Sequence, residues 1–243
     1  MKKIFVSMMF VCLALSASAA ELSKQGLGFQ IGWAQPILRL NDPLYTPADS
    51  LMNVTKLNGL KVGVTYDATY IAGFGSSMGI NYTFAGGHTD WKTLVGDYPR
   101  TRTLTRYHEL EVFVDWQYKF EIAKETHLII YTGPTIQCGL AYNENQYTET
   151  QSIWDGSIST TINRYDRFAQ HDGEPDRDLK RVNVTWGIGA GFQYQRYFVR
   201  GGYDFGLINP YDNQKFTSSL TDRYTRGRLD QWSIKVGMYL WQF

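Results

Sequence analysis

Hydrophobic and polar positions alternate along most of this chain, with a period of two residues. The alternation is clearest in GIGAGFQYQRYFVRGGYDFGL, from Gly187 to Leu207, where one face is apolar and the other carries glycine, glutamine, arginine and aspartate. A period of two is typical of β-strands. The pattern predicts eight strands: 27–34, 60–70, 77–85, 110–120, 128–142, the two strands of the quoted stretch, and 231–243.

The connections between these strands alternate strictly between short and long. The short ones are Gly73–Ser77, Glu121–Thr126 and Gln195–Arg196, and the long polar ones are 35–58, 86–104, 143–178 and 208–227. An up-and-down meander therefore has all its turns at one end and all its loops at the other. This asymmetry is typical of outer-membrane barrels, which have short periplasmic turns and long extracellular loops. The fold class predicted is an all-β, eight-stranded antiparallel transmembrane barrel.

The hairpin around Gln195-Arg196 indicates which face is the interior. With a two-residue loop, Tyr194 lies opposite Tyr197, and paired residues share a face. Counting outward, one face is apolar or small throughout, whereas the other pairs glycines with Arg200 and Asp204. Glycines beside the charged residues leave room for long side chains in a narrow interior. The apolar face is therefore predicted to contact lipid and the polar face to line the interior.

Other strands place ionisable residues on the same polar face. The interior candidates are five acids and five bases: Lys61, Asp67, Glu109, Glu111, Asp115, Lys119, Arg181, Arg200, Asp204 and Lys235. An eight-stranded barrel is just wide enough for side chains to fill it, and buried charges must be paired. The balance of signs predicts a plugged, salt-bridged interior, because an open pore would favour an excess of one sign.

The first twenty residues, MKKIFVSMMFVCLALSASAA, have a different character. Lys2 and Lys3 precede an apolar run and a small-residue exit at Ala17–Ala20, which predicts a cleaved signal peptide over 1–20 and a barrel over 21–243. The run is shorter than the roughly 20 apolar residues of a spanning helix. Cleavage leaves one cysteine, Cys138, and hence no intramolecular disulfide. A formal charge of +1 gives no indication of a nucleic-acid partner.

The signal sequence, the amphipathic strands and a terminal aromatic, Phe243, preceded by Tyr239 and Trp241, resemble the outer-membrane barrels of the OmpA/OmpX-like porin superfamily. GIGAGFQY and GGYDFGLIN resemble the penultimate hairpin of that group. The resemblance implies an outer-membrane location in a double-membraned bacterium and recognition of the last strand by the barrel-assembly machinery. Both faces become apolar after Val236, so a bulge or an unpaired last residue is expected there. A second bulge is expected at Pro134, which cannot donate to a closed ladder.

Candidate chemistry is sparse, and no cofactor or metal motif stands out. The histidines have no metal-ligand spacing, and the glycine-rich segments do not open a helix. The longest loop has an Asp155-Gly156 turn between polar arms, which predicts a projecting hairpin rather than two more spanning strands. Arg100, Arg102 and Arg106 are candidates for contact with lipopolysaccharide phosphates.

The favoured function is that of a non-enzymatic outer-membrane barrel for envelope integrity, surface interaction or adhesion, or assembly of an envelope machine. Its expected partners are outer-membrane lipid, lipopolysaccharide, the assembly machinery and an envelope protein. One alternative is a narrow, passive, porin-like channel. Another is a membrane-embedded protease or acyltransferase, which would need His88 or His108 to meet Asp90 or Asp172 at the external rim.

Overall fold

A computed structural model describes residues 24–40, 54–93, 99–152, 154–168, 179–210 and 227–242. Its strands are β1 (Lys24–Leu40), β2 (Val54–Lys56), β3 (Asn58–Thr69), β4 (Phe74–His88), β5 (Lys92–Thr93), β6 (Arg100–Ala123), β7 (Thr126–Gln151), β8 (Ile158–Asp166), β9 (Val182–Tyr194), β10 (Tyr197–Gly206) and β11 (Gly227–Gln242). A single 3₁₀ turn, Ile71–Gly73, is the one helical element in these ranges. No helix among the described residues is long and apolar enough to cross a membrane.

Eight of the strands form a ring of antiparallel pairs, which confirms the predicted meander. The order around the ring is β1, β3, β4, β6, β7, β9, β10 and β11, and β11 pairs back with β1. The three remaining strands are additions at one end: β2 pairs with β1, β5 with β6, and β8 with β7. Each strand of the ring thus has a partner on both sides, as a closed sheet requires.

The predicted register of the β9–β10 hairpin is confirmed pair by pair. Tyr194 pairs with Tyr197, and the ladder continues to Trp186 with Phe205. The other two short turns, 70–73 and 124–125, lie at the same end of the ring because the strands run up and down. The four longer connections therefore all begin and end at the opposite end, here called the long-loop end.

Strands β6 and β7 are longer than the hydrophobic pattern predicts. Residues 100–104 and 143–151, expected in loops, continue these strands beyond the ring, where β5 and β8 pair with them. The expected hairpin is confirmed, since β7 and β8 are joined by a tight turn in which Gly156 has a φ of 70°. These segments lack a lipid-compatible face, but pairing still satisfies their backbone hydrogen bonds.

A bulge in β11 agrees with the expected change of phase near the last strand's end. Leu27 pairs with Trp241 and Gly28 pairs with Tyr239, so Leu240 is the extra residue. Tyr239 is buried in the interior, whereas Trp241 is exposed on the outer wall. Phe243 and the signal sequence 1–20 lie outside the described residues.

Two other expectations about β7 are wrong. Pro134 does not cause a bulge, because Gly133, Pro134 and Thr135 keep one continuous register with β9. The bulge instead lies at Leu140, since His108 pairs with Ala141 and Glu109 with Gly139. An extra residue reverses the faces of everything after it. Strict alternation over the predicted strand 128–142 would place Tyr142 on the apolar face. Because of the extra residue it points inward instead and is only 3% exposed.

The polar residues of the ring are buried and many of its large apolar residues are exposed. Ile188 is 54% exposed on β9, whereas Lys61 and Arg200 are each 1% exposed in the interior. An apolar cluster closes the interior toward the long-loop end: Leu57, Ala85, Tyr107 and Tyr142, with Phe168, Leu179 and Leu229 packed against them. The molecule is thus apolar outside and polar inside, with an apolar cap.

Candidate functional site

The interior contains nine of the ten ionisable residues that the sequence suggested. Seven are at most 7% exposed, and two are half-buried: Lys61, Asp67, Glu109, Glu111, Asp115, Arg200 and Lys235, then Lys119 and Asp204. All nine lie on ring strands whose alternation places them opposite the outward-facing apolar residues. They form three groups along the barrel.

Arg181 is the exception, and its expected interior position is wrong. It precedes β9, which begins at Val182, so the alternation of that strand does not apply to it. Its side chain is exposed, donates to the carbonyl of Leu140 at 3.0 Å and lies 5.1 Å from the centre of the Phe168 ring. The described interior therefore holds five acids and four bases.

The first group surrounds Asp67 near the short turns. Arg200 donates to its Oδ2 at 2.6 Å, Lys119 Nζ lies 3.3 Å away, and the Tyr239 hydroxyl also donates to this carboxylate. Arg200 further donates to Ser77 at 2.9 Å and to Gln117 at 3.1 Å. Arg200 thereby connects β10 with β3, β4, β6 and β11 across the interior.

The second group surrounds Lys61 closer to the long-loop end. Its ammonium lies 2.8 Å from both oxygens of Glu111, which also accepts from Asn81 at 2.6 Å. The same ammonium donates to Gln231, which in turn donates to Glu109. Tyr107 donates to Glu109 at 2.7 Å. Glu111 is therefore paired directly with Lys61, whereas Glu109 accepts from neutral donors and is joined to this lysine through Gln231.

The third group lies between these two. Asp115 and Asp204 approach the neighbouring glycines Gly133 and Gly187 from opposite sides, and a Cβ on either glycine would clash with a carboxylate oxygen. Among the described residues neither carboxylate forms an ion pair. Lys235, on the same face of β11, has its ammonium 5.1 Å from the centre of the Phe113 ring. This group, like the second, has two acids and one base, whereas the first has one acid and two bases.

The interior is open at the end with the short turns. Side chains fill it farther toward the long-loop end. A pocket of about 880 Å³ enters from that end and reaches Asp67, Lys119, Gln193 and Tyr239. Above it the ionic groups and the apolar cap cross the barrel. Neutral pairs such as Gln137 with Asn183, at 2.7 Å, add to this filling.

The arginines suggested for lipopolysaccharide contact lie on β6 rather than in a loop. Arg100, Arg102 and Arg106 alternate on one face, and Arg106 is exposed on the outside of the sheet. Arg100 is engaged, since its Nε lies 2.6 Å from Glu149 and its guanidinium 5.0 Å from the Trp91 ring. Arg102 and Arg106 have no such ion pair among the described residues.

The residues suggested for an enzymatic rim site do not converge in the described part of the chain. The Nδ1 of His108 lies 2.6 Å from the Tyr82 hydroxyl, and its ring packs on Phe84. His88 and Asp90 are exposed near the end of β4, and Asp172 lies outside the described residues. In these same ranges no group of three His, Cys, Asp or Glu residues could hold a metal ion.

Sequence reasoning missed a charged cluster on the outer wall at the long-loop end. Asp230 on β11 is fully buried although it faces outward, because Arg39 and Arg228 both contact it, at 2.9 and 2.7 Å. The Tyr203 hydroxyl donates to it at 2.6 Å. The signal was the alternation Arg228, Asp230, Trp232, but the predicted strand began at Gln231 and left the first two residues out.

No protein-family model matches this chain. No curated protein matches it either. Solved structures with a similar arrangement are outer-membrane β-barrel proteins. The attachment invasion locus protein Ail of Yersinia pestis matches with a TM-score of 0.41 and 10% identity over 90% of this chain and 99% of that one. Neisserial surface protein A matches with a TM-score of 0.38 and 11% identity over 89% and 98%. The N-terminal β-barrel domain of Pseudomonas aeruginosa OprF matches with a TM-score of 0.29 and 10% identity over 89% and 100%.

Proposed function

We propose that this chain is a non-enzymatic outer-membrane β-barrel protein with a plugged interior, exported by the signal sequence 1–20. Its role is in envelope integrity, surface interaction or the assembly of an envelope machine. The observation that carries the proposal is the inverted distribution of side chains in a closed ring: Ile188 and Val236 are exposed, while Lys61 and Arg200 are buried.

The outer wall supports insertion into lipid. Contiguous apolar patches on water-soluble monomers rarely exceed a few hundred Å², yet exposed apolar side chains occur on every strand of this ring. A closed barrel also satisfies its backbone hydrogen bonds internally, which a segment in lipid requires. Aromatic residues mark both ends of the wall, with Tyr194 and Tyr197 at the short turns and Trp33 and Phe205 toward the long loops. This two-level placement matches the girdles of membrane barrels.

The ionic groups support a structural interior rather than a passage. An ion crossing the barrel would have to displace Arg200 from Asp67 and Lys61 from Glu111, and both pairs are almost completely buried. Separating one partner of such a pair costs about 3–5 kcal/mol. The apolar cap at Tyr107 lies in the same path.

We further propose that Arg102 and Arg106 contact lipopolysaccharide phosphates and that the last strand, with Trp241 outward, is recognised by the assembly machinery. Arg102 and Arg106 share one face of β6 at its long-loop end, where phosphates of the outer leaflet would lie. Arg100 contributes less because Glu149 already neutralises it. Alanine at all three arginines should weaken lipopolysaccharide binding, and unchanged binding would refute this contact.

Tryptophan fluorescence tests the orientation of the wall. Two variants that each keep one tryptophan, Trp186 on the lipid-facing wall or Trp154 at the hairpin tip, are compared after insertion into vesicles. Trp154 is 91% exposed and lies far from the ring. Brominated lipid should quench Trp186 alone, and aqueous acrylamide should quench Trp154 more strongly. If acrylamide quenched both while brominated lipid quenched neither, the proposed membrane location would be wrong.

Planar-bilayer recordings test the plugged interior. The purified barrel should give no steady ohmic current at moderate voltage, because side chains cross its interior in two ion-paired groups. A variant without the buried pair, Lys61→Met with Glu111→Gln, serves as the comparison. Steady water-filled currents from the unmodified protein would overturn the plugged interior and favour the passive channel.

A further inference from the structure

Two arginines are held side by side on the outer wall by one buried carboxylate. The Nε of Arg39 and the Nε of Arg228 both contact Asp230, at 2.9 and 2.7 Å, and the Tyr203 hydroxyl and the backbone N–H of Gly206 donate to the same group. Asp230 is 0% exposed, whereas the two arginine side chains are 38% and 42% exposed. The carboxylate is thus enclosed while the guanidinium groups face outward.

This cluster lies directly above an aromatic part of the lipid-facing wall. In the β1–β11 register Asp230 pairs with Ile37. Arg228 pairs with Arg39, two residues closer to the long-loop end. Trp232 is the next outward-facing residue after Asp230 along β11 and is 49% exposed. Tyr203 packs between Trp232 and Phe205, with ring centres 4.7 and 4.6 Å apart.

The cluster has an excess of positive charge and unused donors. Each guanidinium has five N–H donors, and each contacts Asp230 through its Nε. Arg39 Nη2 donates to the Tyr203 hydroxyl at 3.5 Å, and the other terminal N–H groups of the two arginines have no partner among the described residues. These groups are therefore available to a ligand that approaches from outside. Lys56 on β2 pairs with Ile37 on the same outward face and is exposed. Three bases thus lie on the same outward face as one acid.

We propose that Arg39 and Arg228 form a binding site for the phosphate group of a phosphorylated, acylated glycolipid in the outer leaflet. Paired guanidinium groups match the geometry of a phosphate, which accepts bidentate hydrogen bonds from arginine. The ledge of Trp232 and Phe205 below them is placed to contact the acyl chains of the same molecule. The proposal rests on the proposed membrane location, which supplies lipid to this wall, and it concerns a different strand pair from Arg102 and Arg106.

A structural role alone, in which Asp230 joins the first and last ring strands, makes different predictions. A cluster that only joins these strands needs the carboxylate and both arginines. A phosphate site needs the two arginines but not the negative charge between them, because an amide oxygen at position 230 can still accept from a guanidinium N–H. Asp230→Asn therefore separates the two roles.

The experiment measures binding of bisphosphorylated lipid A, dephosphorylated lipid A and inorganic phosphate to the folded protein in dodecyl maltoside micelles. The variants are Arg39→Gln with Arg228→Gln, the same pair with Asp230→Asn, and Asp230→Asn alone. The triple variant leaves no unpaired buried charge and keeps the test valid if the double variant fails to fold. Arg196→Gln is the matched control, since Arg196 is an exposed arginine beside an aromatic ring, Tyr197, at the opposite end.

The unmodified protein should bind bisphosphorylated lipid A at least about tenfold more tightly than the dephosphorylated form, as expected for charge-assisted hydrogen bonds. The double and triple variants should lose most of this preference and keep only the part contributed by Arg102 and Arg106, whereas Arg196→Gln and Asp230→Asn should keep it in full. Equal affinity of the triple variant and the unmodified protein for bisphosphorylated lipid A would overturn the proposal, as would loss of the preference in Asp230→Asn. Inorganic phosphate binding as tightly as the lipid would overturn the lipid assignment. Failure of the tryptophan quenching test would instead refute the membrane location.

Discussion

Removal of the Arg200 guanidinium tests the view that the buried charges act as one unit. Arg200→Met keeps most of the side-chain volume but removes four hydrogen bonds, to Asp67, Ser77, Gln117 and Tyr239. The Asp67 carboxylate stays buried with Lys119 at 3.3 Å as its remaining base. We expect the free energy of unfolding to fall by about 3 kcal/mol, the lower end of the range for a broken buried pair, because Lys119 remains.

The coupling between Arg200 and Asp67 gives the sharper measurement. Asp67→Asn alone leaves the Arg200 guanidinium buried without its anion and should cost a similar amount, about 3 kcal/mol. The double variant should also cost about 3 kcal/mol rather than about 6, because neither charge is left unpaired. Urea unfolding of the refolded protein in micelles measures all three values.

The control for this cycle is Arg196→Met on the same hairpin. Arg196 is exposed in the turn, so its removal should change the unfolding free energy by less than about 0.5 kcal/mol. If the losses in the two single variants simply add in the double variant, the two side chains do not act as a pair and the reasoning is refuted. A loss no larger than that of the control would refute it equally.

Three further results are expected. Ile188→Arg on the outer wall should destabilise the bilayer-inserted protein by about 2–4 kcal/mol in urea titrations, and a loss under 0.5 kcal/mol would contradict lipid contact. Gly189→Ala should cost about 1–3 kcal/mol by overpacking, since its Cβ would lie 2.2 Å from the Tyr131 ring. Gly201→Ala, whose Cβ meets no atom closer than 3.8 Å, is the control. At the hairpin tip, hydrogen bonds from neighbouring serines lower the pKa of Asp155 to about 2. Because the pKa of Asp155 is lower in the folded than in the unfolded protein, its ionised carboxylate stabilises the fold, and this stabilisation is complete above about pH 4. It should be lost as the pH falls toward 2, and NMR titration of the carboxyl carbon would show a midpoint near 4 if the idea is wrong.

The eight-stranded ring could be predicted because lipid and a narrow interior impose opposite demands on alternate residues. The β9–β10 hairpin shows this best, since the two-residue turn at Gln195 fixed each pair as far as Trp186 with Phe205. The interior position of Arg200 and Asp204 followed from the same count.

The predicted side-chain positions were wrong where the backbone departs from strict alternation and no residue type indicates the departure. The extra residue at Leu140 turned Tyr142 inward, and nothing in the residue types there distinguishes it from a regular strand. Pro134 is a residue type that indicates a departure, yet the ladder continues past it in register. Arg181 was misplaced because alternation was extended beyond the first residue of β9. The Asp230 cluster was missed for a related reason, since its partner Arg39 is 191 residues away in the chain.

The ring closes through the pairing of β1 with β11, from Gly26 with Gln242 to Leu40 with Gly227. Strand β1 lacks its second ring neighbour until β11 has been synthesised. A chain without β11 would have two unpaired edges, one on β1 and one on β10. Closure of the ring therefore follows synthesis of β11.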